Sequence, residues 1–321
     1  MKFSFILCTR NSGRVLKEVV ESIVSQKIDY KLIEIILSDY ESSDQTIEIV
    51  KTISKKKNIK LEYIQCRKPG KTIALEMALD KAIGDYSVVV DDDNILDENY
   101  IPEAQKLLVD PKLGCLGSQG LLDKNLILPA WFNDYKGHFG IGVPSQAKDW
   151  VWGACSIINM IAWKKLRKKG FGIQLNIARV SHSHPIELGG EDTELSLAIC
   201  MIGYKVKFVE ELKFIHKFDQ KRLNKKYFLE NVFGVCRSIP ILEIYRLIIY
   251  NPNLFFPKII WILGLSKTII TCSIRSVINI CMNNRLKAKY NYKIVLGIIS
   301  GYASFKSSFY KIYTRLAQIK N

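Results

Sequence analysis

Tyr86-Ser87-Val88-Val89-Val90-Asp91-Asp92-Asp93-Asn94 places three successive carboxylates directly behind an apolar run. Val88-Val89-Val90 shows no polar alternation, as expected of a central strand buried on both faces of a parallel sheet. Carboxylates in a row repel one another and cost stability unless a cation neutralises them. The stretch reads as the fourth strand of an α/β sheet, ending in an acidic ligand-binding loop.

Upstream, one pattern repeats. Phe3 to Cys8 is a short apolar run ending in the polar loop Thr9-Arg10-Asn11-Ser12-Gly13, and Leu16, Val19, Val20, Ile23 and Val24 then recur at helical spacing. Leu32 to Leu37 is a second run that breaks at Ser38-Asp39, and Ser42-x-x-Gln45 reads as a capping box opening the next helix. Lys60 to Ile64 is a third strand, followed by Arg67-Lys68-Pro69-Gly70, and Ile73 to Ile83 form a third helical pattern closed by Gly84-Asp85. Strands alternating with helices imply right-handed crossovers and a mostly parallel, doubly wound sheet. Thr9, Asp39, Arg67 and Asp91 to Asp93 all fall just past the carboxyl ends of those strands. Open α/β sheets bind ligands along that edge.

Downstream of Ile95 the pattern loosens. Trp131, Phe132, Tyr135, His138, Phe139, Trp150 and Trp152 crowd together with glycines; such loops either stack a sugar ring or a base, or fill core. Gly189-Gly190-Glu191-Asp192-Thr193-Glu194 opens a helix with Leu195, Ala198, Ile199 and Ile202 on one face, ended by Gly203. Tyr204 to Val209 returns as a strand, and Phe214-Ile215-His216 follows.

Several of these residues suit chemistry. Hard divalent ions such as Mg²⁺ or Mn²⁺ take one or two carboxylates plus substrate phosphates. Strand alternation lets Asp91 and Asp93 face one way and Asp92 the other, so that one carboxylate holds a metal while another meets ribose hydroxyls. An EF-hand is excluded, because no glycine stands at loop position six and no glutamate at position twelve. Asp39 is placed to accept from a nucleobase N–H, whereas Ser42 and Asp44 suit helix capping. Lys68 and Lys71 flank a glycine turn and would meet phosphate as point charges. Glu191-Asp192 lies at a helix N-terminus, either as a general base or as ordinary first-turn acids. His216 is a metal or phosphate ligand, or a satisfied core histidine. His182 and His184 do not by their spacing make a metal site.

The whole chain has two unlike parts. Its 321 residues suggest about two domains, or one plus an appendage. The net charge is +16, and after Glu243 there is no Asp or Glu, only twelve Lys and Arg. That asymmetry suits an anionic partner, lipid head groups or nucleic acid. Apolar stretches at Ile239 to Tyr250, Leu254 to Leu265, Ile269 to Met282 and Ile294 to Ala303 are each too short for a clean span, with Lys258, Lys267 and Arg275 interrupting. Amphipathic helices lying on a membrane fit better than spans; the other reading is a helical subdomain with a solvated basic face. Eight scattered cysteines without a C-x-x-C pair fit reduced thiols of a cytosolic protein, and the N-terminal apolar run is too short for a signal peptide.

The order of motifs resembles glycosyltransferase family 2. The resemblance rests on Cys8-Thr9-Arg10-Asn11, Ser38-Asp39, Lys68-Pro69-Gly70-Lys71, Gly84-Asp85-Tyr86, Val90-Asp91-Asp92-Asp93-Asn94, Trp152-Gly153-Ala154 and Gly189-Gly190-Glu191-Asp192 through Leu195. It covers about residues 2–218 and implies a GT-A fold, with the nucleotide-sugar taken by residues 1–100 and the acceptor by 101–218; the basic composition, acid-free after Glu243, marks 219–321 as a helical membrane-associating region. Thr9 and Asn11 would border the nucleotide, Asp39 its base and Asp92 its ribose. Asp93, with Asp91 of the D-x-D signature, would bind Mn²⁺ or Mg²⁺, and Asp192 would be the general base with Glu191 beside it. Lys71 would offset charge on the departing diphosphate. No Gln-x-x-Arg-Trp signature follows His216, so transfer of a single sugar is expected, from a nucleotide-diphosphate sugar to a sugar or lipid-linked acceptor, with inversion. Cell-surface polysaccharide or glycolipid assembly at the inner membrane face is the implied setting. The rival classes are a sugar-nucleotide-forming nucleotidyltransferase, which would carry a glycine-rich, arginine-bearing first loop, and a basic nucleic-acid-binding protein.

Overall fold

A computed structural model describes residues 1–144, 149–175 and 188–321. An eight-stranded sheet holds, from one edge to the other, Lys60–Gln65, Ile33–Asp39, Phe3–Thr9, Tyr86–Asp91, Ser156–Asn159, Leu113–Leu122, Lys205–His216 and Asn94–Leu96. β1 (Phe3–Thr9), β2 (Ile33–Asp39), β3 (Lys60–Gln65) and β4 (Tyr86–Asp91) are mutually parallel. They are joined by α1 (Gly13–Val24), α2 (Thr46–Lys57) and α3 (Lys71–Lys81). Every residue of β2 is buried, whereas the edge strand β3 is not. Burial on both faces is why the inner strands read as continuous apolar runs. The expected capping box does not form. Gln45 precedes α2 without a side-chain cap, and the Ser42 hydroxyl accepts from Asn11 N (2.9 Å) instead. Asp44 takes the capping role, accepting from Thr46 N at 3.0 Å.

After β4 the strand directions mix. β5 (Asn94–Leu96), α4 (Tyr100–Leu107), β6 (Leu113–Leu122), β7 (Ser156–Asn159), α5 (Met160–Lys168), α6 (Glu191–Met201) and β8 (Lys205–His216) complete the sheet and its cover. β7 is antiparallel to β4 and β6, β6 and β8 are parallel, and β5 is antiparallel to β8. The two strand fragments read at Tyr204 to Val209 and Phe214 to His216 are one strand. Ser118 pairs with Val209 and Gln119 with Lys213, so Glu210, Glu211 and Leu212 are extra residues that bulge.

The C-terminal region is helical: α7 (Lys225–Cys236), α8 (Ile239–Tyr250), α9 (Pro257–Cys281), α10 (Arg285–Phe305) and α11 (Phe309–Lys320). Two apolar stretches expected to be separate merge into α9, because Lys267 points to solvent and interrupts nothing. Ile241, Leu242, Ile244 and Tyr245 of α8 share one core cluster with Leu195, Leu197 and Ile199 of α6 and Trp163 of α5. Of the two readings of the aromatic loop, the core reading holds for most of it. Phe132, Phe139, Phe218 and Phe228 are buried in one cluster that packs the loop against α7 and α10, with Trp131 stacked on Phe228.

Candidate active site

Strand register sets the residues of the carboxyl edge next to one another before any side chain is considered. Thr9 lies beside Asp39, and Cys8 beside both Ser38 and Asp91, along the carboxyl edge of the sheet. Thr9 Oγ1 donates to Asp92 Oδ2 (2.9 Å), and the Ser12 hydroxyl donates to the same oxygen. Asn11 adopts φ 52°, a left-handed conformation that asparagine tolerates better than most residues. Its Oδ1 accepts from Ser43 N at 2.8 Å, which stitches the loops after β1 and β2 together. Asp39 is buried, and Ser42 donates to it from both its backbone N (3.1 Å to Oδ2) and its hydroxyl. The Arg10 guanidinium stacks over the Tyr40 ring at 4.8 Å.

The three acidic residues part ways. Asp91 forms an ion pair with Lys71, the first residue of α3, while Arg67 and Lys68 stay exposed on the loop before it. Asp92 goes to the first loop. Asp93 faces His216 Nε2 (3.4 Å from Oδ1) and Arg222 Nη1 (3.4 Å from Oδ2). Lys71 and Arg222 thus answer the charge of Asp91 and Asp93, and two hydroxyls bind Asp92. The antiparallel pairing of Asn94 with His216 brings Asp93 to the end of β8.

Of the residues expected as metal donors, Asp93 and His216 face each other, while Asp91 turns to Lys71. Among the described residues no group of three or more His, Cys, Asp or Glu is assembled to hold a metal, and Asp91 is held by Lys71. Asp93 and His216 remain a fitting pair. His216 Nδ1 lies 2.8 Å from Phe139 O, and a carbonyl only accepts, so Nδ1 carries the hydrogen and Nε2 turns toward Asp93. A histidine oriented in this way beside a carboxylate suits a hard divalent cation whose other ligands come from phosphate oxygens.

At the start of α6, Gly190 (φ 100°) turns the chain into the helix, and a Cβ there would sit 2.8 Å from Ser238 Oγ. Asp192 Oδ2 accepts from Gly153 N (2.9 Å) and Oδ1 from Thr193 N (2.6 Å). Burial pushes its carboxyl above the usual range, against the pull of these two N–H groups and of Lys71. The approach at Gly153 is close, since a Cβ would come within 3.3 Å of Asp192 Cβ. Lys71, Gly153, Glu191 and Asp192 line one small hollow of about 20 Å³. Glu191 itself is buried.

Behind this wall stand two carboxylates tied to α8. Glu194 is fully buried and accepts from Leu175 N (2.8 Å), Gln174 N (2.9 Å) and the Tyr245 hydroxyl (2.6 Å). Asp149 Oδ2 accepts from Arg246 Nε (3.2 Å) and the Tyr250 hydroxyl (3.1 Å).

Sequence reasoning missed Ser12, Arg222, Glu194 and Tyr245. For Arg222 a signal existed: Asp219 follows the strand end and accepts from Lys221 N (2.9 Å), closing the turn that aims the arginine back at Asp93. His182 and His184 lie outside the described residues.

Residues 4–123 match the family model described as Glycosyl transferase family 2, and the chain carries a domain of that family. The fold is of GT-A type. Over 104 residues the chain is 30% identical to the poly(ribitol-phosphate) beta-N-acetylglucosaminyltransferase TarS of Staphylococcus aureus, covering 32% of this chain and 18% of TarS. It is 37% identical over 98 residues to the glycosyltransferase GlyG of Streptococcus pneumoniae, covering 30% of this chain and 32% of GlyG. The chain thus matches under a third of the length of either relative. Among solved structures, the mannosyltransferase PcManGT of Pyrobaculum calidifontis, in complex with GDP-Man and Mn²⁺, superposes with a TM-score of 0.56 at 15% identity. That alignment covers 99% of this chain and 84% of PcManGT. Residues 1–349 of S. aureus TarS superpose with a TM-score of 0.52 at 14% identity, covering 96% of this chain and 92% of that one.

Proposed function

We propose that the protein transfers one sugar, with inversion, from a nucleotide-diphosphate sugar to an acceptor hydroxyl in the assembly of a cell-surface polysaccharide or glycolipid. The observation that carries this reading is one small hollow in which a half-buried carboxylate, Asp192, and a cation, Lys71, share the lining. The names of the relatives support it: TarS is a sugar transferase to poly(ribitol-phosphate), and a 36% identical Campylobacter jejuni relative is named for an undecaprenol-linked acceptor. A further TarS structure holds UDP-GlcNAc.

Thr9, Asn11, Asp39 and Asp92 would line the nucleotide, with Asp39 accepting from a base N–H and Asp92 from ribose hydroxyls. Asp192, with Glu191 beside it, would take the proton of the acceptor hydroxyl. The acceptor oxygen then bonds to the anomeric carbon from the face opposite the leaving group. The bond to the diphosphate breaks, its electron pair leaves with the diphosphate, and Lys71 and Arg222 offset the new charge. Asp93 and His216 would hold a divalent cation, Mn²⁺ or Mg²⁺, which when bound supplies further positive charge at the diphosphate. The basic region 219–321 would place the enzyme on the anionic inner face of the membrane.

A thermal-shift panel of UDP-GlcNAc, GDP-Man and other nucleotide-sugars, with and without Mn²⁺, tests this. Stabilisation by one donor, enhanced by Mn²⁺ and lost in Asp93→Ala, is expected. No response to any donor, with or without the ion, would remove the reading.

A further inference from the structure

α9 buries only a narrow stripe. Trp261, Leu265 and Cys272 are its buried residues, and the helix packs along α10 and α8. On the opposite side Phe256, Ile259, Leu263, Ile270, Ile274 and Val277 are open to solvent. Their spacing of three, four or seven residues holds them on one face of a helix. Leu263 is 62% and Val277 59% exposed, and Phe255, just before the helix, is 94% exposed. The face runs along a 25-residue helix, about 37 Å long. Lys267 is the one charged residue set among them, and an exposed apolar strip of that length on a protein surface marks an interaction site.

The charge around it identifies the occupant. No acidic residue follows Glu243, while twelve Lys and Arg do. Lys267 emerges on the same outer face, and Arg275, Lys287 and Lys289 are exposed on α9 and α10. A second copy of the chain would bring one such positive region against another, which disfavours self-pairing. An anionic lipid surface answers both features, since it accepts aliphatic side chains below the head groups and positive charge at them. α9 is long and apolar enough to cross a membrane, but it packs along α10 and α8. Trp261 Nε1 donates to Pro240 O (2.7 Å), and leaving α8 and α10 would also carry Lys267 toward the bilayer centre.

We propose that the outer face of α9 lies in the head-group boundary of an anionic bilayer, with the helix axis in the membrane plane. The reason for an enzyme to sit there rests on the sugar-transfer reading, but the surface itself does not.

The test is flotation of the full chain with phosphatidylcholine vesicles, with and without phosphatidylglycerol. The chain is expected to float with the anionic vesicles alone. A triple variant, Leu263→Ser, Ile270→Ser and Ile274→Ser, should lower vesicle partition by about tenfold or more, equivalent to about 1.4 kcal/mol. Its melting temperature should be unchanged, because none of the three side chains is buried. The proposal is overturned if the chain ignores anionic vesicles at low salt, or if the triple variant floats like the parent. It is equally overturned if the parent is a dimer that the variant dissolves, or if carbonate fails to strip the chain from membranes. Vesicle binding without any donor-induced thermal shift would remove the sugar-transfer reading and leave this surface standing; the converse would remove the surface alone.

Discussion

Asp192 is held between opposing influences. Burial favours its protonated form, while N–H groups from Gly153 and Thr193 and the charge of Lys71 favour the carboxylate. The net shift is upward, so the proton is retained to higher pH than on a solvated aspartate, whose value lies near about 3.9. A general base must be unprotonated, so the transfer rate should fall on the acid side with a midpoint above that value, read from the rate against pH with saturating donor. Asp192→Asn should lower turnover by about 10²–10⁴-fold while keeping the donor-induced thermal shift. An Asn variant with parental turnover would place the base elsewhere. Thr9, Asp39, Asp91 to Asp93 and Asp192 were legible as candidates because each follows a strand end or opens a helix, positions that periodicity alone locates. Which partner each carboxylate takes was not legible. The split of Asp91, Asp92 and Asp93 among Lys71, Ser12 and Arg222 depends on loops from three other parts of the chain.

α6 and α8 are joined at Glu194 and Tyr245, where a buried carboxylate meets a phenol. Burial raises Glu194 from an ordinary 4.5 to about 7. A carboxyl raised on folding stabilises the native state when protonated, and that contribution is lost as pH rises through about 7. The shift corresponds to on the order of 3 kcal/mol across the window from 4.5 to about 7. Glu194→Gln should therefore flatten the fall in melting temperature through this window; an unchanged slope would show that another group titrates. Tyr245→Phe removes one donor from a buried acceptor and should cost about 1–3 kcal/mol of stability, measured by denaturant unfolding. The alternation of β1 to β4 with α1 to α3 was readable because each element carries its own period. The bulge of β8 was not, because extra residues show only against the partner strand β6. The fusion of two apolar stretches into α9 was hidden by Lys267, whose outward direction no local pattern states.

The C-terminal third is bonded into the molecule rather than hung from it. Ile241, Leu242, Ile244 and Tyr245 lie in the core cluster that also backs α6, and Arg246 reaches Asp149. A chain cut to residues 1–218 would expose that cluster, and it should aggregate or lose its cooperative melting transition where the full chain keeps one. A well-folded fragment with parental melting behaviour would contradict the shared core. The closure of Asp93 by His216 and Arg222 also bears on how the molecule is made, since its partners come more than a hundred residues later in the chain. During synthesis the early strands can pair while the ribosome is still translating the rest, since folding proceeds from the N-terminal side. Until the turn at residues 220–222 has emerged, the seat next to Asp93 has no far wall. A nascent chain is then able to fold much of its scaffold before the seat proposed at Asp93 is complete, so any ligand held there would await the finished polypeptide.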